Sequence, residues 1–143
     1  MNVKVKLFDK TLPLPAYKSN GAAGADLCAR VETKIEPRSI GYIPLNVALE
    51  IPHGYWVLLV ARGSTHKHGL FLANGIGVGD YDFRGDNDEY HFAAYNFTDS
   101  VVTIERGQRI AQMIVMPCES MEIELVESLQ SENRGKYGST GNN

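Results

Sequence analysis

The chain has 143 residues, 43% of them hydrophobic and 22% charged, with a formal charge of −3. That is enough apolar chain for one domain with a real core, and it excludes disorder for the body. The acidic balance argues against a nucleic-acid coat or a membrane-surface protein, since both want a basic field.

No apolar run approaches the length of a membrane span, and the N-terminus alternates without a signal-peptide core. Cys28 and Cys118 lie far apart and match no metal-ligand spacing. Both fall in apolar, strand-like runs, so buried thiols in a reducing, intracellular setting are expected.

In chain order, Val3–Leu7 alternates apolar residues with Lys and reads as a half-buried strand. Pro13 and Pro15 break the pattern. Gly21–Leu27 then runs from small residues to an acid, Asp26, at a strand entrance. Asp26 is either a turn acid or a carboxylate facing a metal hydration shell. Ile35, Ser39–Leu45, Val47–Ile51 and Tyr55–Ala61 are short strand candidates, punctuated by Pro37, Pro44, Pro52 and Gly54. Trp56 reads as core.

Arg62–Gly69 interrupts the strands. Ser64 is a plausible N-cap and Gly69 a stop for the one short helix. Arg62, the Ser64 hydroxyl and the first N–H groups suit an anion, or they form a capped surface turn. His66 and His68 lack a further metal ligand nearby and read as solvated.

An apolar run, Gly69–Ala73, leads into Asn74 and then Gly75-Ile-Gly-Val-Gly-Asp-Tyr-Asp-Phe-Arg-Gly85. The alternating glycines allow unusual φ values and close approaches. Asp80 stands at the exit of the bend, with Phe83 three residues on. This is either an ordinary hairpin or a bare backbone bend that holds a small planar ligand beside one carboxylate. Asp86–Glu89 reads as a solvated acidic loop.

His91–Asn96, Val101–Ile104, Arg109–Pro117 and Glu122–Val126 complete the strand candidates. Gln112, inside an apolar run, must face solvent or find a partner. From Ser128 the composition turns to linker, and Arg134–Gly141 packs an Arg, a Lys, a Tyr, two hydroxyls and three glycines into eight residues. Such a tail is expected to be mobile when free and able to fold over an anion. No helical periodicity appears, so the class is all-β: a jelly-roll-like barrel of short strands with one very short helix. The expected division is a body, 1–127, and a flexible C-terminal arm, 128–143.

Five segments in order resemble the trimeric dUTPase family, the deoxyuridine triphosphate nucleotidohydrolases. They are Ala23–Leu27, Ala61–Ser64, Asn74–Gly85, Arg106–Gln112 and Arg134–Gly141. The resemblance implies a homotrimer whose sites draw on three chains, with dUTP as substrate, Mg²⁺ as cofactor, and dUMP and pyrophosphate as products. That would keep uracil out of DNA, in the cytoplasm or, for a viral protein, the host cytoplasm.

By the same resemblance, Asp80 activates the attacking water. The backbone from Asn74 through Gly77 to Val78 reads uracil, and Phe83 lies under the deoxyribose. Arg62, Gly63, Ser64 and Gln112 hold phosphates. Arg134, Gly138, Ser139 and Thr140 close over the γ-phosphate, with Tyr137 on the base. Asp26 meets the metal through water.

Several residues depart from the family pattern. Gly63 stands for Ser, Gly79 for Ile or Val, Phe83 for Tyr, Gln108 for Asp and Tyr137 for Phe, and the 85–96 segment is longer and more acidic. These departures leave a second reading, a nucleotide-binding regulatory trimer with a protein partner. A third is the related dCTP deaminase chemistry, and the fourth a carbohydrate-binding jelly roll.

Overall fold

Prolines and glycines cut the apolar pattern into short pieces, and the pieces pair as strands. A computed structural model describes residues 1–135. In them, eleven strands and one 3-10 turn follow one another. The strands are β1 (Lys4–Leu7), β2 (Ala25–Cys28), β3 (Thr33–Ile35), β4 (Ile40–Pro44), β5 (Val47–Glu50), β6 (Tyr55–Ala61), β7 (Leu70–Leu72), β8 (Gly77–Gly79), β9 (His91–Asn96), β10 (Val102–Ile104) and β11 (Arg109–Pro117).

Every strand pair is antiparallel. The largest sheet has the order β2-β11-β6-β8; a three-stranded sheet has β4-β9-β7, and β1-β5 and β10-β3 are pairs. This is the expected all-β, jelly-roll-like architecture. The described residues contain no helix long and apolar enough to cross a membrane.

In strands such as β6 and β9 alternate residues point inward, whereas β5 is buried at three successive positions; together they form one core. Leu27, Ile35, Ile43, Leu70, Phe92 and Ile110 are almost fully enclosed. Each such side chain contributes about 1.5–3 kcal/mol by leaving water. Asn96 is buried as well, but its amide is satisfied. Nδ2 donates to the Ile35 and Ser100 carbonyls, and Oδ1 accepts from the Thr98 N–H and hydroxyl. That pins the corner from β9 to β10.

Three expectations about strands and burial change. Glu122–Val126 forms no strand; Ile123 and Leu125 are 86% and 98% exposed. A strand needs a neighbouring backbone to satisfy its N–H and C=O groups, and this segment has none among the described residues. Cys118 is exposed, because it falls just past the end of β11, whereas Cys28 is buried and burial pushes its thiol pKa up. Trp56 is only half-buried. It lies on the outer face of β6, while Val57 and Leu59 take the inner face.

The helix is a single 3-10 turn, Thr65–His68, closed by Gly69 at φ 79°. Ser64 occupies the N-cap position, but its side chain caps nothing. Thr65 anchors the turn instead, donating its hydroxyl to the Ile110 carbonyl at 2.8 Å.

Candidate functional site

The bend after β7 begins with Gly75 at φ 72°, where its N–H bonds the Leu72 carbonyl at 2.9 Å. Of the alternating glycines only this one needs the left-handed region. The other two serve close approach. A Cβ on Gly77 would lie 3.0 Å from Leu59 Cβ, and one on Gly79 would lie 2.7 Å and 2.8 Å from Tyr90 Cε1 and Cζ. The bare backbone of β8 thus sits directly on the side chains beneath it.

Between β8 and the start of β9 lies a cleft of about 300 Å³, lined among others by Asn74, Gly77, Asp80, Phe83, Tyr90 and His91. Asp80 is exposed at its mouth, and its carboxylate has no hydrogen-bond partner among the described residues. Phe83 is held by its own N–H to the Asp80 carbonyl at 3.1 Å.

The acidic segment that follows is solvated at Asp86 and Asn87, as expected, but Asp88 and Glu89 form a seat for this cleft. Asp88 accepts from the Gly85 N–H at 2.6 Å. Glu89 is buried, and its two oxygens accept from Arg30 Nε at 2.8 Å and Nη2 at 3.0 Å. Its Oε1 also accepts from the Asn46 N–H at 2.9 Å. A buried carboxylate survives only with such partners.

Glu89 delivers Tyr90, whose ring stands edge-on to Phe83 at 5.1 Å and 83°. Burial first, then the charges of Asp80 and Asp88, push the Tyr90 phenol up to about 12, so it stays protonated at neutral pH. Tyr90 fills the space that an Ile or Val at position 79 would occupy.

A second cluster forms on β2, β6 and β11. Gln112 is in register with Asp26 on one side and Val60 on the other. Asp26 Oδ1 accepts from Arg62 Nε at 3.0 Å, and Oδ2 from Arg109 Nη1 at 2.8 Å. Gly24 packs on Gln112; a Cβ there would come within 3.2 Å of Oε1. Gly63 is exposed, and the Ser64 hydroxyl, beside Arg62, has no hydrogen-bond partner among the described residues. This cluster is cationic, polar and open, which suits an anion.

The two clusters sit at different places on one sheet. β2 and β8 are its two edges, three strand spacings or about 14 Å apart. Along the strands, Asp26 aligns with Val60 and Gly79 with Val57, a further offset of about 10 Å. Asp80 and the Arg62 head group of one chain are therefore not brought together.

Arg134 is exposed and lies outside any strand or helix. Tyr137, Gly138, Ser139 and Thr140 lie outside the described residues. Sequence reasoning missed Tyr90, Glu89 and Arg109. Arg109 left a trace as a cation at the entrance of the Gln112 strand. The signal for Tyr90 was the missing side chain at Gly79, which demanded a filler from elsewhere.

Residues 10–141 match the dUTPase family. The deoxyuridine 5′-triphosphate nucleotidohydrolase of Desulfitobacterium hafniense strain DSM 10664 / DCB-2 is 41% identical over 150 residues, spanning 98% of this chain and 97% of that one. Among solved structures, the dUTPase of Streptococcus mutans superposes with a TM-score of 0.75 at 29% identity, covering 82% of this chain and 98% of its own. That of Staphylococcus bacteriophage 80alpha, in its G164S form, shares the fold with a TM-score of 0.85 at 24% identity, covering 98% of each chain.

Proposed function

The chain belongs to the dUTPase family, and from that premise we infer that it hydrolyses dUTP to dUMP and pyrophosphate in the cytoplasm. The observation that carries the reading is the cleft: an exposed, unpaired carboxylate, Asp80, beside a side-chain-free strand. Backbone groups of Asn74, Gly77 and Val78 take the uracil edge. A turn this close to its floor resists the extra methyl of thymine better than a soft apolar pocket, which discriminates only ~1–3 kcal/mol per methylene. Phe83 lies under the deoxyribose.

Asp80 accepts a proton from a water that attacks the α-phosphorus in line. The new P–O bond forms as the bond to the bridging oxygen breaks and pyrophosphate leaves. Arg62, the Gly63–Ser64 backbone, the Ser64 hydroxyl and Gln112 hold phosphate oxygens. The C-terminal arm, with Arg134, Ser139, Thr140 and the Gly138 backbone on the γ-phosphate and Tyr137 on the base, closes the site and excludes water.

Among the described residues no three His, Cys, Asp or Glu side chains converge as a metal cluster. That fits an Mg²⁺ ion held chiefly by the triphosphate and its own waters. Asp26 keeps a lone pair on each oxygen beyond its two arginine bonds and would hold one of those waters. When bound, the ion neutralises charge on the leaving pyrophosphate.

The protein acts as a homotrimer. Two observations support this. Asp80 and Arg62 of one chain lie too far apart to serve one α-phosphorus, so phosphate donors must come from another copy. The outer face of β6 and β11 presents Trp56, Leu58, Ile114 and Met116, only half-covered.

The test is pyrophosphate release from dUTP and Mg²⁺. Asp80→Asn should lower kcat by 10²–10⁴-fold while nucleotide binding persists. Absence of release from the unaltered protein, or full activity in Asp80→Asn, would refute the reading.

A further inference from the structure

The cleft contains one polar group that the reaction above does not use, the hydroxyl of Tyr90. The residue is 5% exposed. Its ring is fixed on two sides, by the backbone of Gly79 and by the edge contact with Phe83. Its hydroxyl makes no hydrogen bond among the described residues, yet no fully enclosed side-chain oxygen lacks a partner there. The oxygen, lying against Gly79, is therefore not fully enclosed, and Tyr90 lines the cleft. Asp80, the residue after Gly79, brings the second unpartnered group, a carboxylate.

The geometry points to Tyr90 as a sugar-reading residue: its hydroxyl donates a hydrogen bond to the 3′-hydroxyl of a 2′-deoxynucleotide lodged between Tyr90 and Asp80. The inference rests on the reading of this cleft as the nucleoside site. A carboxylate only accepts, and a protonated phenol set in the pocket wall offers its proton. A ligand hydroxyl does both at once, giving its proton to Asp80 and accepting one from Tyr90. The phenol remains a donor at working pH because burial and the nearby carboxylates hold its proton on.

Position selects the sugar over the base. Tyr90 touches Phe83 and Gly79, next to Asp80, whereas the base-reading backbone begins at Asn74, toward the other end of β8. The departures Gly79 and Phe83 then belong together. Removing the side chain at 79 admits the Tyr90 ring, and that ring returns to the cleft the phenol hydroxyl absent from position 83.

The experiment measures binding of two non-hydrolysable α,β-imido nucleotides by calorimetry. One derives from dUTP and the other from its 2′,3′-dideoxy counterpart, and the full chain is compared with Tyr90→Phe. The variant keeps the ring, so its melting temperature should stay within a few degrees. Tyr90→Phe should weaken the 3′-hydroxyl nucleotide about five- to tenfold and the dideoxy nucleotide less than about twofold, which is the loss of one neutral hydrogen bond. An equal loss for both would assign the hydroxyl to the attacking water or to ring placement and overturn the inference. So would no loss for either. Binding of the imido analogue without pyrophosphate release from dUTP would instead refute the hydrolytic reading alone, and no binding of either nucleotide would overturn both.

Discussion

The two edges of the β2-β11-β6-β8 sheet are built on opposite terms. At the β8 edge the construction is steric. Glycine backbone lies on Leu59 and Tyr90, and the buried Glu89 carboxylate, paired with a half-buried Arg30, locks the segment that supplies Tyr90. At the β2 edge it is electrostatic. Asp26, as enclosed as Glu89, holds two arginines where Glu89 holds one, and the more exposed of them, Arg109 at 45%, is open to an incoming anion. On the proposed reading, the difference teaches that a planar base is selected by closely packed backbone, and phosphates by cationic side chains arranged around one carboxylate.

If that contrast holds, the largest stability loss should come from the rigid edge. Glu89→Ala leaves Arg30 partly buried without its carboxylate and the Asn46 N–H unbonded, and should cost about 3 kcal/mol or more in chemical denaturation. A loss below about 1 kcal/mol would mean that the segment is held by something else. Gly79→Val comes next. Its Cβ enters the Tyr90 ring, and overpacking of this kind costs about 1–3 kcal/mol. Pairing it with Tyr90→Ala should recover part of the loss relative to additivity, and strict additivity would break the proposed interlock.

The smallest effect belongs to the open edge. Asp26→Asn keeps the side chain's size and one acceptor oxygen, which Glu89→Ala does not, and both arginines reach water, so about 1 kcal/mol is expected by thermal unfolding. Salt should narrow the gap between the unaltered protein and this variant, because screening weakens the native ion pairs. Gly79→Val, which touches no ion pair, should not show that dependence. An Asp26→Asn loss as large as that of Glu89→Ala, unchanged by salt, would erase the distinction between the edges.

Much of the placement of strands along the chain was legible in the sequence. Tyr55–Ala61, His91–Asn96 and Arg109–Pro117 coincide with β6, β9 and β11, because turn residues bound them and their apolar content demands burial. Gly69 was readable as a stop because only the left-handed region turns the chain there. Glu122–Val126 was not settled by its own alternation, since pairing depends on whether a second backbone is present. Cys118 misled because an apolar run does not announce where its last residue leaves the sheet.

Local chemistry alone determined the class of this protein, its turns and the chemically capable residues, among them Asp80, Arg62, Asp26 and Gln112. Those features depend on φ limits, side-chain alternation and functional groups, all carried by neighbouring positions in the chain. The tertiary structure alone decided that Tyr90 fills the room left by Gly79, that Glu89 is buried on Arg30, and that Asp80 and Arg62 stand apart on one sheet. Each is a contact or a separation between residues distant in sequence, set by strand order and register, which no local pattern encodes.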